Sequence, residues 1–134
     1  MMLIKCLIVG LGGAFGSMIR YLIGLIPIHE TTTFPINTFI VNILGAIAIG
    51  FVAFYATENI DENWLLFLKV GICGGFTTFS TFAIETGTLL KNGNPTIAFL
   101  YVILSVLLGV LAVFLPDLLN FNGMLTRWIF KLNL

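Results

Sequence analysis

Segment 71–82 reads Gly-Ile-Cys-Gly-Gly-Phe-Thr-Thr-Phe-Ser-Thr-Phe and gathers four hydroxyls (Thr77, Thr78, Ser80, Thr81) and three phenyl rings (Phe76, Phe79, Phe82) behind the paired glycines Gly74 and Gly75. Hydroxyls offer hydrogen bonds without carrying charge. Phenyl edges carry the positive part of the ring quadrupole. Gathered at the middle of an apolar stretch, such groups suit an ion site of the kind membrane transport proteins build. Paired glycines weaken a helix, and carbonyls freed inside an apolar span need protein, water or an ion to satisfy them. A third helix broken at its centre is therefore expected. The three rings recur every three residues, which predicts a common side of a helix or 3₁₀ turn. The bland alternative is ordinary helix packing, with the hydroxyls bonded to carbonyls of their own helix.

Other polar residues are scattered through otherwise apolar stretches. Glu85 follows Thr81 by one turn, and an ionisable side chain at that depth is a functional candidate, with Arg20 or a nearby hydroxyl as its partner. Asn42 has Thr38 one turn before it and Gly45 about one turn after. Its amide either binds helices together or faces a polar path. Gly12, Gly16 and Arg20 are spaced by four, with Gly13 and Ser17 beside them, so a second backbone is expected to lie against that face. Tyr101, Ser105 and Gly109 share the same spacing and could complement the third helix. His29 has no company of Cys, His or carboxylates that would suit a transition metal, and is read as a solvated loop residue.

The elements that must position these groups follow from composition. In 134 residues, 59% are hydrophobic and 9% charged, and mean hydropathy is +1.11. Twelve charges, six of each sign, cannot cover a water-soluble globule, and zero net charge removes any general attraction to nucleic acid. Four transmembrane helices are predicted, over residues 3–26, 36–56, 64–90 and 96–115, forming a single transmembrane domain. The first is too long for a signal peptide. Pro35 precedes the second and Pro116 follows the fourth, as helix boundaries tolerate. The connections are short and polar, and the tail 117–134 mixes apolar residues, Trp128 among them, with Arg127 and Lys131, which suits the headgroup layer. Four cationic residues (Lys5, Lys69, Arg127, Lys131) against two (Arg20, Lys91) favour both termini in the cytoplasm. Cys6 and Cys73 lie in apolar runs and are read as buried free thiols. The glycines from Gly10 onward imitate a dinucleotide fingerprint, but nothing supplies the required strand and parallel sheet.

Taken together, Gly12, Gly13, Gly16, Arg20 and Tyr21, then Thr38, Asn42 and Gly45, then the run from Gly74 to Phe82, closely resemble the Fluc/CrcB family of fluoride channels. The resemblance spans the whole chain, and the third-helix run is its most specific part. It implies an all-α integral membrane fold and an antiparallel, dual-topology homodimer in the lipid bilayer of the inner (plasma) membrane. It further implies two fluoride pores along the subunit interface and a structural sodium ion at the dimer centre. The activity implied is passive, electrogenic, fluoride-selective export that lowers cytoplasmic fluoride. By position, Phe79 and Phe82 match the pore phenylalanines and Asn42 the pore asparagine. Ser80, Thr81, Tyr101 and Ser105 match a polar track, with Glu85 as the acid beside it. Arg20 matches the arginine near the pore entrance, and the backbone carbonyls of Gly74 and Thr77 match the sodium ligands. Gly12, Gly16 and Gly45 are read as helix-packing positions. Asn37 stands where the family often has glycine, and Gly109 where relatives carry a serine.

The physics of fluoride suits this set. The ion is small and holds water tightly, so a pore must replace its shell with donors already in place. Exclusion of chloride then requires a tight passage, since the donors would serve either halide. The rival is a proton-coupled exporter of small cations or drugs that uses Glu85; it would place its acid centrally, whereas here hydroxyls and glycines hold the midplane. An enzyme is not expected, because no nucleophile with an adjacent base, metal cluster or nucleotide loop is present.

Overall fold

The computed structural model describes residues 2–27, 32–55 and 60–120. His29 and the part of the expected interfacial tail beyond residue 120, with Arg127, Trp128 and Lys131, lie outside the described residues. Four helices are long and apolar enough to cross a membrane, and among the described residues there is no strand. The first is α1 (Met2–Gly24) and the second α2 (Ile36–Tyr55), which Pro35 introduces by accepting the Phe39 amide at 3.1 Å. The third span runs over Glu62–Lys91 in two pieces. Its first piece, α3, starts with a turn at Glu62–Leu65, capped by the Asp61 side chain on the Asn63 amide, continues as a π-helix over Leu66–Cys73 and closes with Gly74–Phe76. Its second piece, α4 (Phe79–Lys91), follows after two extended residues. Next come α5 (Pro95–Val113), with Pro95 in its first turn, and a short α6 (Leu115–Leu119). The expected fourth span thus ends two residues early, and residues 117–119 are helical. The turn from α4 to α5 uses Gly93 at φ 74°, a left-handed conformation that glycine adopts without steric cost.

The break lies at Thr77 (φ −76°, ψ 156°) and Thr78 (φ −147°, ψ 112°), not at the glycine pair. Gly74 and Gly75 are helical. Their role is contact: a Cβ on Gly75 would stand 2.5 Å from the Gly13 carbonyl oxygen. The same interface needs Gly12, whose Cβ would stand 2.5 Å from the Phe67 carbonyl oxygen, and Gly16, whose Cβ would strike the Ile72 carbonyl. The expected second backbone against α1 is therefore α3, and the wider π winding lies flush on it through Gly71 and Gly12. A Cβ on Gly45 would meet the Thr77 methyl, and Gly50 lies equally tightly against the Val113 backbone. Cys73 is buried as expected, but Cys6 is exposed on α1, contrary to expectation, because among the described residues no other helix covers that side. Lys5 and Glu62 form a 2.5 Å ion pair that ties the start of α1 to the start of α3.

Candidate functional site

Two independent devices hold the break open. The Asn42 side chain on α2 pairs with the Thr78 backbone in both directions: Asn42 Nδ2 donates to the Thr78 carbonyl at 3.2 Å, and the Thr78 amide donates to Asn42 Oδ1 at 2.8 Å. An extended residue has no helical ladder, and this amide supplies what the ladder would have supplied. Thr78 also caps α4, its hydroxyl accepting from the Thr81 amide at 3.2 Å and donating to Thr81 Oγ1 at 2.9 Å. Asn42 thus binds α2 to the third span, and it is also among the residues that line a cavity beside the break.

The carbonyls at the end of α3 are divided among several donors. The Cys73 carbonyl accepts from both the amide (3.1 Å) and the hydroxyl (3.0 Å) of Thr77. The Gly75 carbonyl accepts from Arg20 Nε at 3.2 Å. A guanidinium at the C-terminal end of a half-helix is favourably placed against its dipole. Arg20 is therefore bonded to the break, and Glu85 finds hydroxyls instead: Thr38 donates to it at 2.7 Å and Tyr101 at 2.8 Å. Tyr101 is 0% exposed and lies 5.0 Å, centroid to centroid, from Phe82. The face Tyr101–Ser105 does complement the third span, through α4.

Two cavities flank the break. The first, about 400 Å³, is lined by Asn42, Gly45, Gly74, Thr77, Thr78, Phe79, Phe82 and Ser105, with apolar residues of α2 and α5. The Ser105 hydroxyl is buried and has no hydrogen-bond partner among the described residues. The second, about 420 Å³, is lined by Ser17, Arg20, Tyr21, Asn37, Thr38, Thr78 and Thr81. The expected track is thus split. Asn42, Phe79, Phe82 and Ser105 share one cavity, Arg20 and Thr81 share the other, and Glu85 and Tyr101 join α2, α4 and α5 beside them. Ser80 lines neither cavity, although its hydroxyl stands 3.3 Å from that of Thr78. Phe79 and Phe82 are 5.7 Å apart, and Phe79 is 79% exposed on the single chain. Phe76 lies across the break from them, with a ring atom 3.2 Å from where a Gly45 Cβ would be, so the three rings do not share one helical side.

Sequence reasoning missed the roles of Thr78, Thr38 and Asn37. Thr78 carried a usable signal, a hydroxyl residue three positions before Thr81 at the start of a helix. Asn37 uses its side-chain amide to hold the Ile26 carbonyl at 2.9 Å and the Gly24 carbonyl at 3.4 Å, which fastens the end of α1 to the start of α2. Among the described residues, no group of three or more His, Cys, Asp and Glu side chains could hold a metal ion; the oxygen donors at the break are backbone carbonyls, the threonine hydroxyls and the Asn42 side chain.

The same residues lie within a known family pattern. The profile described as CrcB-like protein, Camphor Resistance (CrcB), matches residues 7–116. A protein of Phocaeicola vulgatus named fluoride-specific ion channel FluC is 48% identical over 111 residues, which cover 81% of this chain and 92% of the relative. The protein of that name from Azobacteroides pseudotrichonymphae genomovar. CFP2 is 38% identical over 122 residues, covering 89% and 98%. That from Clostridium perfringens strain 13 is 46% identical over 106 residues, covering 77% and 83%. With four apolar spans, a broken third helix and a profile match across nearly all the described residues, this multi-pass membrane protein belongs to the CrcB family.

Proposed function

We propose that the protein is a fluoride-selective channel of the plasma membrane, passing fluoride passively and electrogenically and lowering its cytoplasmic concentration. The observation that carries this reading is the first cavity, which is lined by Ser105, whose hydroxyl is unpaired, by Asn42 and by the phenyl rings of Phe79 and Phe82 beside an opened helix. These groups are neutral donors and ring edges, able to replace water around a small anion and to release it again. The names of the relatives support the same conclusion. The exporter reading finds no support in those names, and Glu85 is occupied by the Thr38 and Tyr101 hydroxyls rather than standing in an aromatic cage. No enzymatic activity is proposed.

Two further parts belong to the proposal. The high exposure of Phe79 fits a ring completed by a second copy, in an antiparallel homodimer. A sodium ion at the dimer centre would be held by the Gly74 and Thr77 carbonyls. Both residues line the first cavity, and neither carbonyl is among those engaged by Thr77, Arg20 and Asn42. Carbonyl oxygen is the donor a hard cation takes, and the ion would supply fixed positive charge near the anion route. Fluoride release from liposomes, followed with a fluoride electrode, tests the reading: fast, voltage-generating release with little chloride flux is expected. Correctly assembled protein that releases no fluoride would refute it.

A further inference from the structure

The two cavities meet at one residue. Among the described residues, Thr78 alone lines both, with Phe82 and Ser105 on one side and Arg20 and Thr81 on the other. It is 9% exposed, and its position is fixed three ways: its amide and carbonyl are held by Asn42, and its hydroxyl is joined to Thr81. A wall pinned through its own backbone cannot retreat to admit a larger ion, so the space it leaves is a fixed property of the fold. A hydroxyl, by contrast, can turn its proton toward either side by exchanging one neutral hydrogen bond for another.

We propose that Thr78 is the septum between the two cavities and a specificity-determining residue of the channel: its methyl closes the crossing to a wide ion, and its hydroxyl passes a small dehydrated anion from one cavity to the other. The assignment rests on the channel reading above. It goes beyond helix capping, because a cap alone would leave the halide ratio untouched.

Two nearly isosteric variants of the full chain separate the parts, each assayed in liposomes with fluoride and chloride electrodes. Thr78→Ser keeps every hydrogen bond and removes the methyl; fluoride flux should persist while the chloride-to-fluoride flux ratio rises at least tenfold. Thr78→Val keeps the volume and removes the hydroxyl; chloride should stay excluded while fluoride flux falls at least tenfold. The Asn42 bonds to the backbone remain in both, and although the valine variant also loses the α4 cap, both should elute from a sizing column as the wild type does. A conducting wild type whose serine variant keeps its halide ratio, or whose valine variant keeps its fluoride flux, overturns the septum alone. A wild type silent to fluoride overturns the channel reading and the septum with it.

Discussion

Gly16→Ala tests the central contact of the fold. The added Cβ would strike the Ile72 carbonyl oxygen and stand 2.8 Å from the Phe76 nitrogen and 3.1 Å from the Gly75 carbonyl carbon. All three are backbone atoms, so no side chain can rotate away, and α1 must separate from α3 by roughly 1 Å to restore ordinary contact distances. Overpacking of this kind costs about 1–3 kcal/mol. The upper end applies because the contact is backbone on backbone, less about 1 kcal/mol that alanine returns through helix propensity. The net loss is about 2 kcal/mol, roughly 30-fold in the folded population. The separation also stretches the Arg20–Gly75 bond beyond its present 3.2 Å, so the opened segment should loosen with it. Gly10→Ala is the control: nothing stands within 4 Å of its Cβ, and stability should rise by up to about 1 kcal/mol. Reversible unfolding in mixed micelles reads both. A Gly16→Ala protein as stable as the wild type, or a Gly10→Ala protein equally damaged, would refute the backbone-contact argument.

Asn42→Leu removes both bonds to Thr78 and leaves a buried amide and carbonyl without partners, at about 1–3 kcal/mol each; the same unfolding assay should show the loss, together with faster exchange of the Thr78 amide. Lys5→Ala breaks an ion pair whose side chains are 32% and 69% exposed, so its effect on stability should stay under about 1 kcal/mol and shrink further in high salt.

Much of this architecture was legible in the chain itself. Apolar length gave the four spans, and spacing by four gave the glycine face of α1, because both depend on residue type and helical geometry alone. The broken third helix was also expected, but two residues too early. Propensity pointed to Gly74 and Gly75, whereas the actual break is fixed by Asn42, 36 residues away from Thr78, and by the Thr78 cap. A partner that distant leaves no local mark. For the same reason the bond from Arg20 Nε to the Gly75 carbonyl could not be foreseen, and Glu85 could not be assigned to Thr38 and Tyr101 in preference to Arg20. The π winding of Leu66–Cys73 had no visible signal, since the same apolar residues serve an α-helix equally well.

The Gly12–Gly71 and Gly13–Gly75 contacts carry a mechanical consequence. At these positions α1 and α3 meet backbone on backbone, with no side chains between them to repack, while the Tyr101 hydroxyl donates to Glu85 and ties α5 to α4. Between α3 and α4 the chain passes through the extended residues Thr77 and Thr78, so any bend there would pull on the Asn42 bond to Thr78. The joint that opens the helix is also the latch that keeps it from flexing.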